Sequence, residues 1–362
     1  MRLLCGRDLI QWSEQNNGIN SNQYRGHKGV QAQTAALNKT LSCDALRYYS
    51  EEASLIDNDA QACYDRIVPA FLSCALMRLG LPFHLIKFQC EWLKQTMCEL
   101  KLTSGNTKPY SNRDGKTLYG TGQGTGWSPP SWTALSDIIS RVMDKFAPGL
   151  KLQHTDGSFI HRVIDAFIDD VNSGLNKEAL QDFHPAVNTN VLKKYENVYE
   201  QTKWNVRLYS RLLFSTGGRL ALHKCAIYLL KTIWKNGKRS FQKTHENTPP
   251  ISIQQGINQE TQFIKIEDPS KARRMLGVYV APDGNSSQQF QILRKKSEQW
   301  SKKNKSQHLS GYETFMAYNQ GISMKSLDNP VGASLLNQFQ CQQIQSPALN
   351  TFLNKNGVVS TI

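Results

Sequence analysis

The stretch Ala166-Phe167-Ile168-Asp169-Asp170-Val171 (AFIDDV) sets two adjacent carboxylates inside an otherwise apolar run. Asp is a poor strand former, and burying its charge beside Phe and Ile is costly unless something compensates it. Either the pair sits at a turn and faces water, or it holds a cation. The surrounding segment HRVIDAFIDDVNSGL (161–175) reads as two strands joined at the Asp pair. A second acidic cluster, Asp57, Asp59 and Asp65, follows the short apolar approach of ASLIDNDA (53–60), which suits a strand. One strand-end carboxylate plus an Asp pair at a hairpin turn is what a two-metal site needs, with two divalent ions about 4 Å apart activating a hydroxyl and stabilising a leaving pyrophosphate. Carboxylates brought that close repel one another and take up protons, so the cation would be part of the architecture. Taken alone, a turn or helix cap is the simpler reading of the pair, and metal-dependent nucleases and phosphatases also use such acids.

At 362 residues, with 39% hydrophobic content and seven Trp, the chain can bury a core large enough for one large domain or two modest ones. The formal charge of +14 points to a polyanionic partner, nucleic acid above all, although a basic surface kept for solubility fits the composition too. No run of eighteen apolar residues occurs, so no transmembrane helix and no membrane partner are expected, and MRLLCGRDLIQW is too short an apolar start for a signal peptide. The eight cysteines contain no C-x-x-C pair, which leaves reduced intracellular thiols as the default. Basic residues concentrate in two stretches: Lys193, Lys194, Lys203, Arg207, Arg211, Arg219, Lys224, Lys231, Lys235, Lys238, Arg239 and Lys243, and then Arg294, Lys295, Lys296, Lys302, Lys303 and Lys305. The second surrounds Trp300, a basic and aromatic mix that can track a phosphate backbone and stack a base. Each cluster also fits a solvated helix face, and RKKSEQWSKKNK fits a short nuclear-localisation signal.

Two helices broken at Gly80-Leu81-Pro82 are expected from RIVPAFLSCALMRLG and PFHLIKFQCEWLKQTMC, and another opens near Pro130. A helical region spans roughly 177–215, CAIYLLKTIW is strand-like, and ARRMLGVYVAPDG reads as a strand with a turn. From about 287 the composition shifts to Gln, Asn, Lys and Ser with helical periodicity, which marks a boundary.

The order and detail of the motifs go further. DNDAQACYDRI (57–67) resembles motif A of reverse transcriptases, in which a metal-binding Asp is followed four residues on by a small residue and then an aromatic; Asp59, Cys63 and Tyr64 fit that register. GQGTGWSPPSW resembles motif B at Gln123, Gly124, Ser128 and Pro129, and FIDD resembles motif C. LALHKC is similar to motif D with Lys224 as its lysine, RMLGVYV to motif E at Leu276-Gly277, and NQYRGHKGVQAQTA (22–35) to a fingers motif written Gln-aromatic-x-Gly. Residues 338–357 look like thumb sequence of non-LTR-type retroelement enzymes. The small residue is Cys63 where Ala is commoner, and Met275 stands where an aromatic is frequent.

This resemblance, carried over residues 20–280 or so, implies an α+β class and a right-hand polymerase fold with an antiparallel palm sheet flanked by helices. Its expected divisions are fingers at 1–49 and 68–117, palm at 50–67 and 118–285, and the start of a thumb at 286–362. The implied activity is RNA-directed DNA polymerisation: dNTPs are added to a primer 3′-hydroxyl with two Mg²⁺ ions, or Mn²⁺, and the partners are an RNA template and a DNA primer. Asp59 and Asp169 would ligate the ions with Asp170 in support, and Asp57, which shares a face with Asp59, is a rival that the spacing to Tyr64 disfavours. Tyr64 would lie under the sugar of the incoming nucleotide and exclude a 2′-hydroxyl. Gln123, Gly124 and Lys224 would contact nucleotide or triphosphate, although a plain surface lysine is nearly as good a reading of Lys224. Phe167, on one face with Asp169 if the alternation holds, would lie beside the primer end together with Leu276 and Gly277, and Arg25, Lys28, Lys295 and Lys296 are candidate primer–template contacts. The short stretch ahead of QYRG and the ending NKNGVVSTI lead to the expectation of a chain truncated at both ends, with no RNase H or endonuclease signature. Its alternative role is a catalytically inactive nucleic-acid-binding fragment or retroelement relic. An intracellular, preferentially nuclear site follows from the family alone.

Overall fold

In the computed structural model the described residues are 2–24, 27, 29–99, 101–111, 120–121, 125–154, 156–182, 197–245 and 247–358. Helices α1 (Arg2–Gln15) and α2 (Ala32–Tyr49) precede strand β1 (Glu52–Asp59) and a single 3₁₀ turn, Cys63–Arg66. Helix α3 (Pro69–Arg78) starts on a proline, whose missing N–H is an orphan in any first turn, and α4 (Phe83–Gln95) follows the break at 80–82. Four two-residue strands, β2 (Met97–Cys98), β3 (Lys101–Leu102), β4 (Gly105–Asn106) and β5 (Tyr110–Ser111), pair as nested hairpins, β2 with β5 and β3 with β4. Helix α5 (Ser128–Phe146) opens on Pro129-Pro130 and leads into β6 (Leu150–Gln153), β7 (Phe159–Arg162), β8 (Ile164–Phe167) and β9 (Asp170–Asn176). The long helical region expected over 177–215 is α6 (Lys177–Asp182) and α7 (Val198–Ser215); 183–196 lie outside the described residues. Asn197 caps α7 by accepting the Glu200 amide at 2.8 Å. Then come β10 (Ala226–Lys235), β11 (Lys238–Phe241), β12 (Ile251–Gln255), β13 (Glu260–Ile264), β14 (Ile266–Glu267), β15 (Arg273–Met275) and β16 (Val278–Val280). The chain continues in α8 (Ser287–Lys305), α9 (Gly311–Met316), a π-helical segment at Ala317–Asp328, α10 (Asn329–Gly332) and α11 (Gln338–Lys355).

This is a mixed α and β structure centred on a sheet of order β11-β10-β1-β9-β8, antiparallel throughout except for β14, which lies parallel to β10. Strand β1 is buried from Ala53 to Ile56, so both its faces are covered. On one face Ile56, Ile227, Ile164 and Val171 meet Trp132, Leu135, Ile139 and Met143 of α5 and Val206, Tyr209 and Leu213 of α7. Those helical residues recur at three- and four-residue steps, the single apolar stripe a helix lays on a sheet. On the other face Ala53, Leu55, Ala226 and Tyr228 pack against Ala36, Cys43 and Leu46 of α2, joined by Leu150, Leu152, Val278 and Val280. Among the described residues no helix is long and apolar enough to cross a membrane.

The C-terminal helices enclose a core of their own, with Leu293 of α8 against Ile344 and Ala348 of α11. Trp300, expected to stack a base, belongs to that core. It sits seven residues from Leu293 on the same stripe of α8 and packs edge-on to Tyr318, with ring centroids 5.9 Å apart.

Helix α2 is fixed to the sheet by charge as well as packing. Lys39, only 4% exposed, donates to Asp57 Oδ1 at 2.6 Å. Removing one partner of a buried pair leaves an uncompensated charge, so Lys39→Met should lower the unfolding free energy by about 3 kcal/mol in denaturant titration. Lys39→Met/Asp57→Leu should recover most of that loss, and a double variant as unstable as the single would show the pair to be unimportant.

Candidate active site

Register brings the acids together. Strand β1 ends at Asp59 directly opposite Asp170, the first residue of β9, and Asp170 in turn faces Phe167, the last of β8. Cross-strand partners share a face, so Asp59, Asp170 and Phe167 form one row and Asp57, Asn172 and Asp165 the next. Asp169 lies in the turn between β8 and β9. The alternation expected to put Phe167 and Asp169 on one face does not run through that turn, because Ile168 adopts φ 61° and interrupts the pleat. Phe167 instead neighbours Asp170 and packs near Tyr24, Met275 and Leu276.

A β-branched residue in the left-handed region is strained by about 1–3 kcal/mol and needs support from its surroundings. Here the Trp132 indole N–H donates to the Ile168 carbonyl at 2.6 Å, and the Ile168 side chain packs into the core beneath. The fingers-like segment supports the same hairpin from its edge. Ala166 N–H donates to Asn22 O at 2.9 Å, and the Tyr24 hydroxyl joins Asp165, Arg162 and Asn38 in one polar network. The segment ahead of α5 docks next to Tyr64: Thr121 N–H donates to Tyr64 O at 2.8 Å, and Gly120 N–H to Ile67 O at 2.9 Å. At Gly120 (φ 78°) a Cβ would come within 2.8 Å of the Asp65 backbone, which leaves room for glycine alone.

The row of acids opens into a cleft of about 510 Å³ whose opposite wall is the β15–β16 hairpin, with Leu276 and Gly277 at its tip. Both adopt positive φ, 50° and 91°, the requirement of a tight two-residue hairpin turn. Asp57 is committed to Lys39, whereas Asp59 is held at the rim by Lys224, 3.1 Å and 3.2 Å from its two oxygens. That contact raises the Lys224 pKa. Burial, and then repulsion from Asp59, raises that of Asp169. Burial, then the charges of Asp169, Asp59 and Asp57, pushes Asp170 up to about 6. Among the described residues no three His, Cys, Asp or Glu side chains converge as a ready-made metal cage. The donor set nevertheless suits a hard divalent cation: it is all carboxylate oxygen, and its mutual repulsion is what such an ion would relieve.

Tyr64, in the turn after β1, packs against the main core. Lys295 and Lys296 are exposed on α8 and do not line the cleft. Gln123, Gly124, Arg25 and Lys28 lie outside the described residues. Sequence reasoning passed over Lys39, Trp132, His223 and Arg274; His223 and Arg274 line the cleft beside Lys224 and Leu276. Arg274 and His223 each adjoin or nearly adjoin a motif residue, and that adjacency was the available signal. Nothing local distinguishes Lys39 or Trp132 from other helix residues.

No protein-family model and no curated protein matches the chain. Among solved structures it aligns with telomerase from Candida albicans in complex with a TWJ fragment of telomeric RNA, at 11% identity and TM-score 0.42, over 97% of this chain and 51% of that one. Telomerase from Candida tropicalis, also in complex with a TWJ fragment, aligns at 11% identity and TM-score 0.42, over 97% of this chain and 46% of that one. The chain thus spans about half the length of these telomerase chains.

The geometry makes two stability predictions. Between about pH 4 and 6 folded Asp170 retains a proton that the unfolded chain has already released, so stability falls through that window as pH rises. Asp170→Asn escapes this loss. In EDTA it should be more stable than wild type above pH 6 by about 1 kcal/mol, after discounting for solvent screening, with the two curves merging near pH 4. A constant gap across pH would contradict the shift. Trp132→Phe keeps the ring's packing but strands the Ile168 carbonyl, so chemical denaturation should show a loss of about 1–3 kcal/mol.

Proposed function

We propose that this chain is a nucleic-acid polymerase of the reverse-transcriptase type, adding dNTPs to a primer 3′-hydroxyl on an RNA template. One observation carries the reading: Asp59 and the Asp169-Asp170 turn, far apart in sequence, meet at one end of one sheet face, opening into a cleft walled by Leu276-Gly277. That arrangement agrees with the order of the motifs in the sequence. In the proposed right-hand layout, the sheet is the palm.

Asp59 and Asp169 would hold two Mg²⁺ ions, or Mn²⁺, with Asp170 in support. When bound, the ions supply activation of the primer hydroxyl and neutralisation of charge on the leaving pyrophosphate. Lys224, beside Asp59, adds a cation for the triphosphate and a proton for the pyrophosphate. Tyr64, in the turn after β1, would crowd a 2′-hydroxyl and favour dNTPs. Leu276 and Gly277, which line the cleft, and Phe167, which packs in one cluster with Leu276, would lie beside the primer end. A retroelement origin and a nuclear site belong to the same proposal.

A second reading, an inactive nucleic-acid-binding relic, has its own observation: Asp59 is clamped by Lys224. Primer extension on poly(rA)–oligo(dT) with dTTP and Mg²⁺ or Mn²⁺ separates the two. Activity that Asp169→Asn abolishes by at least a hundredfold, and that discriminates against UTP, supports the polymerase. Tyr64→Ala should then relax the discrimination against UTP. Absent extension with salt-sensitive binding of primer–template supports the relic.

A further inference from the structure

Helix α7 and the β12–β13 hairpin border a cleft of about 210 Å³ that shares no lining residue with the acidic one. The hairpin is fixed on the helix by its apolar positions: Ile251, Ile253 and Ile264 join the main core alongside Val206, Tyr209 and Leu213. Strand alternation turns Ser252 and Gln254 to the other face, with Thr261 directly opposite Gln254. From the helix come Arg207, Ser210 and Arg211, whose three- and four-residue steps put them on one face.

Arg207 is half-buried and held in place. Its Nε donates to the Ser252 carbonyl at 3.0 Å and its Nη2 to the Ser252 hydroxyl at 2.9 Å. Both partners are neutral, so these bonds orient the guanidinium without cancelling its charge. Arg211, one turn further on, is exposed. Among the described residues neither arginine has an ion-pair partner, and no Asp or Glu lines the cleft. Two exposed arginines would be accounted for as a solvated helix face. Arg207 is not, because it is pinned beside a second cation that repels it. The hydroxyls of Ser210 and Thr261 and the Gln254 amide border the same space and are uncommitted among the described residues. An oriented guanidinium, a second one beside it and neutral hydroxyl donors suit a tetrahedral oxyanion, which takes charge-assisted hydrogen bonds from arginine. The volume sets its size: below the roughly 300 Å³ of a small-molecule pocket, the cleft fits one group rather than a whole nucleotide.

We propose that this cleft binds a single phosphate group, with Arg207 and Arg211 supplying the charge and Ser210 and Thr261 the further donors. The group is inorganic phosphate or one phosphodiester of a nucleic-acid strand. Calorimetric titration of the whole chain with inorganic phosphate, in EDTA and at an ionic strength held constant with chloride, should show saturable binding. Arg211→Gln, at an exposed side chain, should keep the fold and weaken that binding at least about tenfold. Arg207→Gln should do the same, with thermal unfolding reporting separately on the lost ties to Ser252. Lys235→Gln removes one exposed charge outside the cleft and should leave phosphate binding at the wild-type value. Anisotropy of a fluorescein-labelled twelve-nucleotide oligo(U) over a salt series then identifies the source. For a backbone phosphate, Arg207→Gln/Arg211→Gln should lower the slope of log affinity against log salt by about 0.7. For free phosphate the slope should stay unchanged while the calorimetric loss persists. The proposal is overturned by an absence of saturable phosphate binding or by undiminished binding in Arg211→Gln. It is overturned equally by the same loss in Lys235→Gln, which would assign the effect to overall charge. None of these readouts involves the acidic cleft, so they stand whether or not the chain extends a primer.

Discussion

The pairing of Asp59 with Asp170 depends on a register that neither residue could hold alone, since two carboxylates face to face repel. What holds it is apolar: Leu55 and Tyr228 lock one face of the strands under α2, and Ile56, Ile227 and Ile164 lock the other under α5 and α7. A slip of one residue between β1 and β9 would turn every one of these side chains to the wrong face, which makes the register costly to change. The acids are thus carried to their place by the core and kept there against their own repulsion.

Charge is graded along that face. Asp57, nearer the core, is matched by buried Lys39; Asp59, at the rim, is held by exposed Lys224; Asp169 and Asp170 carry raised pKa values that express burial and repulsion still outstanding. Asp57, paired with a buried lysine, and Asp59, paired with an exposed one, lie one alternate position apart on a single strand. At the opposite end of the same sheet the sign reverses, with Lys235 and Lys238 exposed on a projecting hairpin. In a chain with a formal charge of +14, four aspartates nevertheless gather in one cleft at one end of the sheet.

Strain gathers at the cleft as well. Ile168 and Leu276 both occupy the left-handed region, one on each side of the cleft. Each is backed by packing, Ile168 by Trp132 and the main core, Leu276 by Phe167, Tyr24 and Met275. Backbone held off its preferred conformation by surrounding structure is what a site demanding a fixed turn looks like. The Trp132 hydrogen bond couples α5 to the turn between β8 and β9, so two stretches far apart in sequence act on one loop.

Residue order alone determined the strands around the two acidic clusters, a helix opening near Pro130 and the break at 80–82, because period-two alternation and the special backbones of Pro and Gly are local properties; the stretch 272–284, read as a strand with a turn, is two short strands turning at Leu276-Gly277. The resemblance of the motifs singled out Asp59, Asp169 and Asp170, and the fold brings the three to one cleft. Local pattern could not separate Asp57 from Asp59 by charge, since the partner of each lies elsewhere in the chain, at Lys39 and Lys224. It misjudged Trp300, whose basic neighbours say nothing of which stripe of α8 turns inward, and it passed over Trp132, whose role exists through its contact with Ile168. Alternation also failed at Phe167 and Asp169, where a supported positive φ broke the pleat. Which acids carry unrelieved charge, which aromatics are core and which are surface were decided by tertiary structure, because each depends on what another segment brings within a few ångströms.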